Sequence, residues 1–239
     1  MGPRADALNA AIAEAWRVFD IPAPATTGVC EHCCMDPQIE ADFLTRKARE
    51  LPPEYVRDWY FAAFDDEIGH DHVAWLLPRV MELLAKGETV AVVGNEVVFQ
   101  RLPLTDYPGL WPKEEVAAVQ GFAEAFFAAQ LGAELPPLPE GLDGCLCMFG
   151  EGGIDLQPLL RQLEALSDDA LIALLHKDWV LPYGRCIAGS AFWHDGPARN
   201  LVWDWYTSKN LLDRLGNNAR AGDRKAVDLC DLILAAQDE

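Results

Sequence analysis

Four residues of the types that bind soft metal ions stand together between positions 30 and 34. Cys30 and Cys33 have the two-residue spacing that lets both thiolates reach one tetrahedral zinc ion, at about 2.3 Å from each sulfur. His32 and Cys34 are further candidate ligands in the same segment. The spacing therefore predicts one half of a zinc site, and the remaining ligands must come from elsewhere in the chain.

Two other places in the chain could supply those ligands. Cys145 lies 112 positions after Cys33 and is followed by Cys147, although a Cys-x-Cys pair suits zinc less well than Cys-x-x-Cys. His70 and His72 are the alternative. Four protein ligands would make a structural zinc site, whereas three ligands and one water would allow hydrolytic chemistry. Without a metal, these cysteines are small side chains that pack in the interior, which is the more common role of free thiols.

The stretch from Asp65 to His72 is a second concentration of reactive side chains, since six of its eight residues can ligate a cation. On a helix, Asp66 and His70 would share one face, and so would Glu67 and His70. Glu-x-x-His pairs on two helices bind di-iron centres in helical bundles, but this chain has one such pair. A helix start is the simpler explanation, because acidic side chains there complement the helix dipole.

Aromatic residues are concentrated in the second half of the chain, at Trp193 and from Trp203 to Tyr206. Tryptophans can line a ligand pocket, although they more often pack in the core or between helices. His194 and Asp195 are neighbours in sequence and would point apart on a helix, so they do not predict an acid–base pair. The chain also contains no nucleophile elbow, phosphate-binding loop or dinucleotide-binding fingerprint.

The charge balance excludes one large class of partner. The 239 residues include 19 Lys and Arg against 38 Asp and Glu, which gives a formal net charge of −19. Residues 1–120 carry −10 and residues 121–239 carry −9, so no basic region is hidden by an acidic tail. Nucleic-acid backbones are bound by clustered Lys and Arg. We therefore expect no nucleic-acid partner.

The apolar content predicts a folded protein outside the membrane. A hydrophobic fraction of 51% is typical of a soluble globular protein and not of a disordered acidic chain. No apolar run approaches the ~18–20 residues of a membrane span. The N-terminus has no secretory-signal pattern, and seven cysteines are too few for a disulfide scaffold. We expect a cytoplasmic protein with reduced thiols.

Helical periodicity dominates the chain and predicts an all-α fold of antiparallel helical hairpins in two packed halves. The clearest stripe places apolar residues at spacings of three and four, which predicts one buried helix face. That face consists of Leu76, Leu77, Val80 and Leu84. Asp36, before Pro37, and Ser167 are predicted to cap the N-termini of two further helices.

The division into halves follows from residues 132–153, which contain six Gly and three Pro. This composition is typical of a linker or a functional flap. The chain is thus predicted to have an N-terminal helical half (1–131), the linker or flap (132–153) and a C-terminal helical half (154–239). Residues 89–99 are rich in valine, and Gly94–Asn95 could form the turn of a short β-hairpin. Helical spacing fits this segment about as well, and its helical surroundings favour a helix.

One resemblance to other proteins rests on three features of the first half. Leu77-Pro78-Arg79 is followed by Glu82-Leu83-Leu84, which gives an LPR-x-x-ELL helix, and the chain also has Cys30–Cys34 and an acidic stretch before Trp75. In these features it resembles a group of bacterial proteins with an N-terminal cysteine-rich segment and no established activity. The resemblance implies a helical, bacterial, cytoplasmic protein and transfers no functional residue.

These observations together predict a helical protein that acts by binding a partner or a small ligand, and not as an enzyme. The prediction rests on the helical stripes, the absence of a complete catalytic constellation and the aromatic second half. The alternative is a zinc protein with a structural site or a metal-dependent hydrolase. Its candidate ligands are Cys30, Cys33, Cys34, His70, His72, Cys145 and Cys147.

Overall fold

The computed structural model describes residues 2–30, 35–63, 68–137, 139–181, 184–185 and 187–237. Helices make up nearly all of the regular structure in these ranges, which confirms the predicted all-α fold. They are α1 (Pro3–Val18), α2 (Pro37–Phe43), α3 (Pro53–Phe61), α4 (His70–Ala85), α5 (Lys113–Leu131), α6 (Gly141–Glu151), α7 (Gln157–Glu164), α8 (Asp168–Trp179), α9 (Pro197–Tyr206), α10 (Lys209–Arg220) and α11 (Arg224–Gln237). Two strands of two residues each, β1 (Val180–Leu181) and β2 (Gly184–Arg185), form one short antiparallel pair.

The helices begin and pack where the sequence pattern indicates. All four predicted core residues of α4 are at most 1% exposed. The Asp36 carboxylate accepts hydrogen bonds from the N–H groups of Gln38 and Ile39, at 2.8 and 3.3 Å, and so caps α2. Ser167 caps α8 by accepting from the N–H of Ala170 at 3.4 Å. Both caps satisfy N–H groups that have no partner inside their own helix.

One apolar core runs through the described part of the chain and includes side chains from α1 to α11. In it, α1 packs against α4 and α5, and α11 packs against α8 and α10. Helix α6 lies among α8, α9 and the turn around residue 96. None of the described helices is long and apolar enough to cross a membrane.

Residues 141–151 were expected to belong to a linker or flap, and that expectation is wrong for this part of the range. They form α6, in which nine of the eleven residues are buried. Here glycine provides space for close neighbours. A Cβ at Gly144 would lie 2.4 Å from Cβ of Glu140, and a Cβ at Gly150 would lie 3.0 Å from both Leu156 and Trp193. The division of the chain into two halves around this region stays a prediction.

Residues 89–99 form neither the β-hairpin nor the helix considered for them. They make an irregular turn that contains one short 3₁₀ segment, Asn95–Val97. The Asn95 side chain closes this turn, because its oxygen accepts from the N–H of Val90 at 2.9 Å and its amide donates to the carbonyl of Glu88 at 3.4 Å. Side-chain bonds to the main chain thus replace both a strand ladder and a helical ladder.

Candidate functional site

His70, the first residue of α4, is held between two carboxylates. Its Nε2 lies 2.6 Å from Glu115 on α5, and its Nδ1 lies 2.8 Å from Asp71. Ionised carboxylates only accept hydrogen bonds, so this position between two carboxylates favours the cationic imidazole, in which both ring nitrogens donate. Burial opposes this charge, but the hydrogen bonds to Glu115 and Asp71 outweigh it and raise the pKa of His70. In its cationic form His70 offers no lone pair to a metal ion.

Replacing Glu115 by glutamine should lower the pKa of His70, because the largest favourable contribution to its charged form is lost. The raised pKa makes the ion pair contribute stability that is fully present below about pH 6.5, the ordinary histidine value, and is lost as pH rises through the raised value. At low pH the free energy of unfolding of E115Q should therefore be lower than that of wild type by at most about 1 kcal/mol. This difference should decrease as the pH rises.

Histidine NMR titration, with urea unfolding at several pH values, measures both effects of E115Q. Asp71→Asn is the matched control, since Asp71 is 75% exposed and Glu115 only 10%, and it should lower the pKa of His70 by less. An unchanged His70 pKa in E115Q would contradict the cationic bridge between α4 and α5.

His72 forms hydrogen bonds at the N-terminus of the same helix. Its Nδ1 accepts a hydrogen bond from the N–H of Gly69 at 3.0 Å, so in the neutral ring the proton is on Nε2. Nε2 lies 3.4 Å from Oγ1 of Thr26. The ring also packs on Gly28, where φ is +68° and a Cβ would lie 2.9 Å from the imidazole. His72 thus closes the helix and positions the loop before Cys30.

Cys30 is the only predicted ligand of the cysteine-rich segment that lies within the described ranges. Its N–H donates to the carbonyl of Ala63 at 2.7 Å, which joins this segment to the chain after α3. Cys33 and Cys34 lie outside the described residues, as do His32 and the acidic residues 65–67.

Cys145 and Cys147 are buried in α6, at 3% and 0% exposure. Burial raises the pKa of the Cys145 thiol far above its usual range, and the nearby charges of Glu140 and Asp178 raise it further. Burial likewise raises the pKa of Cys147 to about 12. Zinc binds the thiolate form, and residues two apart on a helix point about 200° apart. The structure therefore gives both residues the packing role of neutral thiols.

Among the described residues, no group of three or more His, Cys, Asp or Glu side chains is arranged to hold a metal ion. The structure brings the loop before Cys30 against His72, whereas Cys145 and Cys147 point away from each other within α6. A zinc site at the cysteine-rich segment stays a prediction.

The aromatic residues of the second half pack and donate hydrogen bonds. Trp193 donates from Nε1 to the buried carboxylate of Asp143, at 3.2 Å to one oxygen. Trp205 donates to Glu164 at 3.1 Å. His194 contacts Glu151 and not the neighbouring Asp195. Such contacts join separate segments of the fold. They agree with the interpretation that these aromatic residues pack in the core or between helices.

A cavity of about 220 Å³ lies between α5, α6, α8 and the turn before α6. Most of its described wall is apolar, and four of the described lining residues have polar side chains. The apolar wall is formed by Phe127, Leu131, Pro137, Pro139, Leu142, Cys145 and Leu174, and the polar groups belong to Gln130, Glu140, Lys177 and Asp178. Apolar walls with a few polar groups are the usual composition of a small-molecule site.

Asp178 is the most constrained polar group of this wall. Its carboxylate accepts from the N–H groups of Leu142 and Asp143, at 2.7 and 3.2 Å, and thereby caps α6 from α8. Burial raises the pKa of Asp178 to about 6, although these two hydrogen bonds favour the ionised form. Gly141 leaves room for the carboxylate, because its φ is +70° and a Cβ there would meet the Asp178 oxygen.

Sequence patterns do not identify this cavity. Its lining residues come from positions 127–145 and 174–178, and the first group overlaps the glycine- and proline-rich range that was interpreted as a linker. One sequence signal does indicate that this region is buried: the apolar run around Cys145 is typical of buried structure and not of an exposed loop.

Comparison of the chain with protein-family models, with curated proteins and with solved structures found no match. The resemblance to bacterial proteins with an LPR-x-x-ELL helix thus stays a prediction, and neither fold nor function is transferred to this chain from another protein.

Proposed function

We propose that the protein binds a small, largely apolar molecule in the cavity between α5, α6 and α8. The observation that carries this proposal is the cavity wall itself, in which apolar side chains from three helices surround a few polar groups. Its volume of about 220 Å³ exceeds that of an engineered apolar cavity of about 150 Å³ that binds benzene. A ligand with one ring or a short chain is therefore of the right size.

The chemistry of the described wall supports binding in preference to catalysis. Cys145 is the one thiol among the described lining residues, and it is held in the neutral form because burial and the nearby carboxylates oppose its ionisation. The described lining includes no histidine to act as its base. A nucleophilic mechanism requires such a base or a thiol of lowered pKa.

The proposed partner class and location of the protein rest on its sequence alone. A net charge of −19 without a basic region disfavours nucleic-acid partners. We also propose that the protein is bacterial and cytoplasmic, as its sequence predicts.

Filling the cavity with a larger side chain should weaken ligand binding. Leu174→Trp adds a bulky side chain at a half-buried wall position of α8, and we expect it to weaken the binding of indole or toluene at least tenfold. Titrations followed by NMR measure the affinity and show which amides shift, which should be those of α6 and α8 around the cavity.

Leu234→Trp is the matched control, since Leu234 is 48% exposed and does not line the cavity; its affinity for the same probes should equal that of wild type. No saturable shift in wild type up to the solubility limit of both probes would refute the proposed function. Equal affinity of L174W and wild type would place binding elsewhere and refute it as well.

A further inference from the structure

The cavity wall carries more negative than positive charge. Glu140 and Asp178 both line it, and Lys177 is the one basic residue among its described lining residues. Asp178 accepts two main-chain hydrogen bonds, and the nearby charge of Lys177 favours its ionised form. Asp143 lies behind the wall and adds a further negative charge near Asp178.

Only one of the two carboxylate oxygens of Glu140 has a hydrogen-bond partner among the described atoms. One of its oxygens accepts from the N–H of Asn95 at 2.9 Å. The other oxygen is buried without a hydrogen-bond partner among the described atoms. A buried carboxylate oxygen without a partner is costly, and a cation close to it offsets that cost. Lys177 is exposed on the surface of α8, and it does not donate a hydrogen bond to this oxygen of Glu140.

We infer that the ligand of this cavity is a small amine whose ammonium group lies near Asp178 and Glu140 while its hydrocarbon part contacts Phe127, Leu131 and Leu174. This inference rests on the proposed function and names the chemical class of the ligand. The observation that supports it is a cavity lining that combines these apolar side chains with two carboxylates. An ammonium group forms charge-assisted hydrogen bonds with such oxygens, whereas a neutral group forms weaker ones.

Three probes of nearly equal size and different charge test this inference: benzylamine, benzyl alcohol and benzoate. Calorimetric or NMR titration at pH 7.5 should show benzylamine binding at least tenfold more tightly than benzyl alcohol, and benzoate binding more weakly than both. Below about pH 6 the preference for the amine should decline, because Asp178 then takes up a proton. The affinity for benzyl alcohol should be constant over the same range, since a neutral probe forms no ion pair with the charged groups at this wall (Glu140 and Lys177) or behind it (Asp143 and Glu96).

Asp178→Asn keeps the size of the side chain and removes its charge, so it should reduce the amine-to-alcohol affinity ratio to near one. Asp169→Asn, which removes an exposed charge from the same helix, is the control and should leave that ratio unchanged. If D178N does not fold, E140Q and the pH series on wild type test the same ratio, and each should lower it.

The outcomes separate the two proposals. Equal affinities of benzylamine and benzyl alcohol, or a preference for benzoate through Lys177, would overturn the inference and leave the proposed function standing. A ratio in D178N and E140Q as high as in wild type would also overturn it. No saturable binding of any probe, including indole and toluene, would overturn the proposed function and the inference with it.

Discussion

Replacing Trp59 by alanine is expected to lower the free energy of unfolding by about 3–5 kcal/mol, the usual range for truncating a fully buried tryptophan. Trp59 lies on α3 and is 1% exposed. Its Nε1 donates to the carbonyl of Thr27 at 2.9 Å, and the guanidinium of Arg101 lies 3.9 Å from the centre of its ring. The substitution therefore removes core packing, a cation–π contact and the hydrogen bond that holds the loop before Cys30.

Urea unfolding of W59A measures this loss, and Trp59→Phe separates its components. Phenylalanine retains a ring beneath Arg101 but cannot donate to Thr27, so W59F should cost about 1–3 kcal/mol, the usual penalty of a buried group without its partner. A loss below about 1 kcal/mol in W59A would contradict the central packing position of this side chain.

Leu84→Ala has the second largest expected effect, about 2–5 kcal/mol, which combines lost transfer free energy with the cavity left behind. Leu84 is 1% exposed on the buried face of α4. Leu110→Ala removes the same atoms from a side chain that is 79% exposed, and it should change stability by no more than about 0.5 kcal/mol.

Thermal and urea unfolding of the two leucine variants under the same conditions provide the comparison. A negligible effect of L84A, or equal effects of L84A and L110A, would show that α4 does not present this face to the core. The difference between the two variants is more informative than either value, since it cancels changes in the unfolded chain.

Local sequence signals predicted those parts of the fold that depend on neighbours along the chain. The stripe of α4 repeats at the helical period, and Asp36 and Ser167 cap helices because a short polar side chain reaches the first N–H groups. These features need no knowledge of distant residues, and the structure confirms them.

The features that sequence reasoning missed depend on contacts between distant segments. Glycines at positions 141 and 144 suggested a linker, but their missing side chains make room for Asp178 and for Glu140. The candidate cavity could not be predicted from the sequence either, because its walls come from segments that meet only after folding. The contact of His70 with Glu115 was missed as well, because the two residues are 45 positions apart and form no pattern in the sequence.

The cap that Asp178 places on α6 has a consequence for local opening of the fold. The amides of Leu142 and Asp143 stand at the start of their helix, where amides ordinarily exchange with solvent through fraying. Here their acceptor belongs to α8, 36 and 35 positions away, so their exchange requires the two helices to separate. Slow hydrogen–deuterium exchange at these two amides thus reports the docking of α8 and not the helical content of α6.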